Sequence, residues 1–217
     1  MKALLAVFTA LVLLAWGISG GAGPWPPDAL TPSGVRKAIP APGVTRDVSV
    51  YEGLGTWVDI FDFDPAVAGD PLPVTPDSLA DMAGVGVETL YLQAANETDA
   101  EPGVVDPDVL GSFIVSAHEV GIRVVGWFVP RHGDVDRDLA YVSAIDEFEY
   151  EGHRFDGIAL DIEWTQTEED HEKRSGKAVE LAERASDLLG GDALGAIVVE
   201  PLLVSEVNPN LWPGVSL

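Results

Sequence analysis

Apolar residues along this chain alternate between two regimes. Short runs that read as strands occupy Thr56–Phe61, Glu88–Gln93, Ile122–Val129, Phe155–Glu163 and Leu194–Glu200, and their starts recur every 32 to 39 residues. Between them the apolar positions move to helical spacing: Leu110, Phe113, Ile114 and Ala117, then Leu139, Val142, Ile145 and Phe148, then Ala178, Leu181, Ala182, Ala185 and Leu188. Each such stripe buries one face of a helix against a sheet. The punctuation agrees, since Thr75-Pro76 and Asp106-Pro107 have the form of an N-cap followed by a first-turn proline. Gly84, Gly121, Gly152 and Gly190 stand where a helix should stop.

Strands alternating with helices predict an α/β fold of right-handed βα units on a parallel sheet. A doubly wound sheet that binds a nucleotide carries a Gly-rich phosphate loop after its first strand, and here that position holds Asp62-Phe63-Asp64-Pro65-Ala66. No nucleotide is therefore expected. The alternative is a TIM-type (β/α) barrel, which takes about 250 residues for eight units. On that reading residues 47–217 are the first five units of the barrel, truncated after the fifth strand, with an open edge that predicts an inactive and aggregation-prone chain.

The first 23 residues change the picture of the apolar content. Lys2, an apolar run over residues 3–17 and the small residues Ser19, Gly20, Gly21, Ala22 and Gly23 read as a secretory signal peptide, which predicts a secreted or extracytoplasmic protein. Left uncleaved, the same segment would be an N-terminal membrane anchor. Residues 24–46 are rich in Pro and Gly and read as a linker or extended arm.

Charge narrows the partners. The chain of 217 residues has 36 Asp and Glu against 12 Lys and Arg, a net charge of -24, so polyanions such as nucleic acid are repelled. The 47% hydrophobic content is that of a folded chain. There is no cysteine, which removes disulfides, thiolate nucleophiles and Cys-bound metals.

Chemistry in a barrel sits at the C-terminal ends of the strands. In Phe155–Glu163, Ile158, Leu160 and Ile162 share one strand face, and Ala159, Asp161 and Glu163 share the other. Two acids on the inward face of an apolar strand are costly unless their ionisation is tuned. Like charge and partial burial raise the pKa of one member and supply a proton donor beside an ionised neighbour, the arrangement that acid-catalysed glycoside cleavage needs. Other strand ends offer walls: Asp59 in strand one, Gln93 and Asn96 after strand two, Trp127 and Arg131 after strand three, and Trp164 beside the acids. Rings stack on the apolar face of a sugar while amides and acids bond its hydroxyls.

The segment Asp156-Gly157-Ile158-Ala159-Leu160-Asp161-Ile162-Glu163 resembles the DGxxxDxE strand of family 18 glycoside hydrolases, the chitinase-like barrels. The resemblance implies that Glu163 is the general acid. It also implies that Asp161 is its partner, which orients a substrate N-acetyl group and stabilises the charged intermediate. Ala159 stands where that family has a further Asp, and the family's sixth-strand Tyr has no counterpart here. The implied partner is a polysaccharide or oligosaccharide.

Other chemistries find no support. The run His132-Gly133-Asp134-Val135-Asp136-Arg137-Asp138 lacks the Gly and distal Glu of a calcium loop and reads as acids at a helix N-terminus. The histidines at 118, 132, 153 and 171 have no zinc spacing, and neither a GxSxG elbow nor a Walker loop occurs. No metal or other cofactor is expected. Two further classes stay open on the sequence: a noncatalytic carbohydrate- or cell-wall-binding module with a vestigial site, which Ala159 favours, and a complete five-stranded doubly wound domain, which strand order would reveal.

Overall fold

The computed structural model describes residues 48–163, 170–190 and 192–198. The proposed signal segment, the linker, Trp164 and the chain beyond residue 198 lie outside the described residues. A 3-10 turn at Ser49–Tyr51 leads into β1 (Gly55–Val58), α1 (Ile60–Phe63) and α2 (Ser78–Gly84). Then follow β2 (Thr89–Gln93), α3 (Pro107–Glu119), β3 (Arg123–Phe128), α4 (Val135–Glu147), β4 (Gly157–Asp161), α5 (His171–Leu188) and β5 (Leu194–Ile197).

The five strands are all parallel and lie in one sheet in the order β1-β2-β3-β4-β5. This is an α/β fold of successive TIM-type (β/α) units. A doubly wound sheet reverses direction after its first strand, and among the described residues no reversal occurs.

Strand alternation gives the sheet two faces. Val58, Leu90, Leu92 and Val124 point outward and are buried with Leu110, Phe113, Ile114 and Ala117, the apolar stripe of α3. Phe128, Ile158 and Leu160 do the same against Tyr141, Val142 and Ile145 of α4 and Leu181 and Ala185 of α5. Each such side chain contributes roughly 1.5–3 kcal/mol by leaving water, and this layer holds the sheet. The inner face is a separate cluster of Val50, Tyr91, Val125, Trp127 and Ala159, with Tyr51, Trp57, Val129 and Ile197 packed on it.

Helix ends follow the sequence signals at α3, but α2 begins at Ser78 after an Asp77 N-cap whose side chain makes no cap bond, two residues later than Thr75-Pro76 suggested. Asp106 accepts from the Asp108 and Val109 N–H groups with Pro107 in the first turn of α3, and Asp134 and Asp170 cap α4 and α5 in the same way. Gly121 adopts φ 79° after α3 and Gly190 φ 63° after α5, conformations that favour a residue without Cβ.

Two further expectations are corrected. The first strand stops at Val58 rather than Phe61, because Asp59 caps α1: its Oδ1 accepts from the Phe61 N–H at 2.8 Å. Phe61 consequently turns outward and is 66% exposed. In α5 the buried line passes through Arg174, Leu181, Ala185 and Leu189, so Ala182 and Leu188 face outward instead of inward. The α5 stripe is rotated by about one position from the one its alanines suggest.

Candidate functional site

Register builds the inner face in tiers. Trp57, Tyr91 and Val125 stand side by side across β1, β2 and β3, with Gly157 next on β4. One tier toward the C-terminal ends come Gln93, Trp127, Ala159 and Gly195. Asp161, paired in register with Ile197, forms the next tier at the C-terminal edge. Ile162 continues the ladder, its N–H donating to the Ile197 carbonyl at 3.2 Å, and its side chain packs on the outer cluster. β4 nonetheless ends at Asp161, and Ile162 and Glu163 form a turn, so the fourth strand stops two residues short of the expected Glu163 and alternation places only Asp161 on the inner face.

The two acids are partly buried and coupled. The Glu163 N–H donates to Asp161 Oδ1 at 3.3 Å. Burial first, then the negative charges of Glu163 and Glu97, push the Asp161 carboxyl up to about 7, while the Glu163 N–H bond acts in the opposite sense. Burial also raises the Glu163 carboxyl. Raised in this way the carboxyls favour their protonated form, and the pair can present both a donor and an acceptor to one bound molecule.

Several residues read from the sequence as cleft walls have structural duties. Gln93 is buried with both ends of its amide engaged: Oε1 accepts from the Ile60 N–H at 3.1 Å and Nε2 donates to the Ala95 carbonyl at 3.3 Å. It fastens the loop after β1 to the end of β2. Asp59 bonds neither Arg131 nor Asp161, since it is spent on its cap, and burial is the main cause of its raised pKa. Asn96 uses Oδ1 to accept from Thr98 N–H at 3.1 Å and Thr98 Oγ1 at 2.8 Å, closing a turn after β2.

Trp127 is 5% exposed, with Trp57 tilted against it at a centroid separation of 4.7 Å and Trp57 stacked in turn on Tyr91 at 5.0 Å. Its ring faces belong to the core and are closed as a sugar platform. Ala159 is the small neighbour that lets Trp127 lie beside β4, so the position that an acid would occupy in a family 18 enzyme is filled by packing.

Arg131 does reach the mouth. Its guanidinium pairs at 3.2 Å with Glu97, a residue the sequence reading passed over because it sits in an irregular loop with no periodicity to mark it. The backbone around Arg131 is fixed by buried Asp138, whose two oxygens accept the Arg131 N–H at 3.1 Å and the His132 N–H at 2.9 Å. Asp134 caps α4 while Asp138 pins this loop. Among the described residues no group of three His, Asp or Glu side chains is arranged to hold a metal ion.

The opposite, N-terminal edge of the sheet holds a second polar cluster. Asp156 Oδ2 accepts from the Val124 N–H at 2.7 Å and lies 3.0 Å from His118 Nε2, whose Nδ1 lies 2.8 Å from His153 Nδ1. The first Asp of the family-like motif thus anchors β3 and α3 to β4, far from the acids in strand direction. The ring centroids of the two histidines are 5.0 Å apart. With their nitrogens face to face, that spacing fits one shared proton rather than two lone pairs converging on a metal.

No protein-family model matches the sequence, and no curated protein matches it. Among solved structures the fold is similar to a sugar phosphate isomerase/epimerase from Parabacteroides distasonis, at 12% identity and a TM-score of 0.41. The match covers 73% of this chain and 55% of that one, so this chain aligns with about half of that protein's length.

Proposed function

We propose that this chain is a glycoside-hydrolase-like protein that acts on or binds a polysaccharide or oligosaccharide at the C-terminal edge of its sheet. One observation carries the reading: Asp161 ends β4 on the inner face and Glu163 follows in the turn, both partly buried, with the Glu163 N–H donating to Asp161 Oδ1 at 3.3 Å and burial raising both carboxyls. A fold does not retain such a pair for stability, because burying either carboxylate costs free energy.

In this reading Glu163 is the general acid, next to the glycosidic oxygen, and Asp161 is its partner. Asp161 holds the resting proton, and the coupling of the two carboxyls keeps a proton available to Glu163 as the leaving oxygen develops charge. The family 18 resemblance supplies the N-acetyl-directed version of this chemistry. The apolar segment before residue 24 supports export of the protein to where such polymers occur.

A noncatalytic carbohydrate-binding role is the second reading, favoured by Ala159 packing against Trp127 in place of a third acid. The test uses the full-length protein with 4-methylumbelliferyl glucosides, galactosides and N-acetylglucosaminides and a panel of soluble polysaccharides, between pH 4 and 8. The enzyme reading expects turnover that Glu163→Gln reduces by a factor of about 100 to 10,000 without loss of sugar binding. Binding without turnover at any of these pH values would establish the second reading instead. Neither binding nor turnover would refute both.

A further inference from the structure

The N-terminal edge of the sheet carries three titratable side chains joined in a row, outside the candidate site. We propose that His118, His153 and Asp156 form a proton-operated latch: with one hydrogen between the two rings it holds the α4–β4 connection on α3, and protonation of both rings opens it. The latch is independent of the carbohydrate reading above.

Proton counting follows from the distances. His118 Nε2 lies 3.0 Å from Asp156 Oδ2, and a carboxylate only accepts, so that nitrogen carries a hydrogen. His118 Nδ1 and His153 Nδ1 lie 2.8 Å apart, which admits one hydrogen between them. With both rings neutral, His153 donates this hydrogen to His118. A first added proton enters at His153 Nε2, the hydrogen between the rings can then belong to either ring, and every bond of the row survives. That charge is favoured by Asp156 and by the last turn of α3, where His118 stands among helix carbonyls. A second added proton leaves a hydrogen on both facing nitrogens. Two opposed N–H groups on like charges then replace the ring–ring bond, and the rings separate.

Separation has a defined mechanical result. His153 closes a turn with Tyr150, each N–H donating to the other's carbonyl at 2.9 Å, and the tip residues Glu151 and Gly152 have φ 51° and 82°. The Tyr150 ring lies over Gly111 of α3. Asp156 stays behind when the rings part, because its Oδ2 also accepts the Val124 N–H of β3 at 2.7 Å. The latch thus has a fixed half, His118 with Asp156, and a moving half, the Tyr150–His153 turn. Among the described residues Asp156 is the charged side chain bonded to either ring. Exposed Glu119 follows His118 on α3, and exposed Glu149, Glu151 and Arg154 flank His153 along the connection. Arg154 donates to the Asp146 carbonyl, and Arg123 of β3 to the Glu52 carbonyl at 2.8 Å with Glu88 at 3.6 Å. The glutamates favour the first proton, but none bonds a ring and none relieves the clash made by the second.

The experiment follows the full-length protein by NMR as the pH is lowered from about 8 to about 4.5. Long-range proton–nitrogen spectra read which nitrogens of each ring hold a hydrogen, and hydrogen exchange reads the protection factors of the Tyr150 and His153 amides. The expected result is uptake of two protons in separate steps, with amide protection kept through the first and reduced at least about tenfold in the second. In His118→Gln, which has no ring to protonate opposite His153, this acid-dependent loss should disappear. Circular dichroism and thermal melting check that the variant folds; His153→Gln, read at the Tyr150 amide, serves in its place if it does not. Both rings protonated with the two amides still protected would overturn the latch, and that wild-type measurement needs no variant. An acid-dependent loss of equal size in His118→Gln would also overturn it, because the sensing group would then lie elsewhere.

Discussion

At the scale of single residues, Asp161 carries most of the meaning. Its carboxyl is raised from 3.8 to about 7, so the folded chain binds a proton there across a pH range in which the unfolded chain does not. Stability from this group is therefore greatest below about pH 4 and is lost as pH rises through 7. His132 works in the opposite direction. It is fully buried in a left-handed conformation, and burial, with Arg174 and Lys177 adding to it, lowers its pKa to about 4. Its contribution is lost as pH falls from 6.5 toward 4, so the two groups offset each other within that window. Their separation needs a variant: Asp161→Asn should make the protein more stable than wild type at pH 8, by at most about 4 kcal/mol and by less to the extent that water screens the half-buried group. The two proteins should converge at pH 4. Urea unfolding at several pH values checks this, and an Asn variant that is less stable at pH 8 would contradict it.

The inward placement of Asp161 was legible in the sequence because strand alternation is rigid and Ile158 and Leu160 marked the other face, whereas the turn that carries Glu163 past the end of β4 was not. Glu97 was not legible, since a loop residue acquires its position from a long-range partner, here Arg131. The backbone bonds of Asp59 and Gln93 were not legible for a related reason: an acid or amide in a strand-like run can serve either a ligand or the backbone, and only tertiary contacts reveal the second.

At the scale of elements, the α3 stripe was read correctly because four strongly apolar residues at helical spacing leave one choice of face. The α5 stripe was misplaced because alanines specify a face weakly, and buried Arg174 and Leu181 set it instead. Two contacts between elements give sharp tests. The Tyr51 hydroxyl lies 2.8 Å from the Ile158 carbonyl and 2.7 Å from the Ala193 carbonyl, tying the first turn to β4 and the entry to β5. Burial pushes its pKa up to about 12, so it stays neutral and able to donate at any physiological pH. Tyr51→Phe should cost about 1–2 kcal/mol in chemical denaturation. Gly111 lies in α3 directly under the Tyr150 ring, where an added Cβ would come within 2.1 Å of a ring carbon. Gly111→Ala would gain about 1 kcal/mol of helix propensity and lose about 1–3 to overpacking, and the closeness of this contact decides for net destabilisation. A melting temperature above wild type would show that Tyr150 moves aside freely.

At the scale of the whole molecule, sequential order in a parallel sheet places every strand's C-terminal end on one edge, where residues from β2, β3 and β4 meet. The candidate site is there, and the His118–His153–Asp156 cluster is at the other edge. His153→Ala should therefore lower stability by about 1 kcal/mol and leave the titration of Asp161 unchanged. A net charge of -24 adds long-range repulsion to the folded state. Raising salt from 0.02 to 0.5 M should increase the melting temperature through screening, whereas a protein that depended on its surface ion pairs would lose stability instead. Among the described residues no helix is long and apolar enough to cross a membrane.

The central claim is that the inward face of β4 is a proton-holding acid site. Its most direct measurement is the titration of the Asp161 carboxyl carbon by NMR in the folded protein, assigned by comparison with Asp161→Asn. The account predicts a midpoint near 7 that moves down when Glu163→Gln removes the neighbouring charge. A midpoint near 4, unmoved by Glu163→Gln, would contradict it.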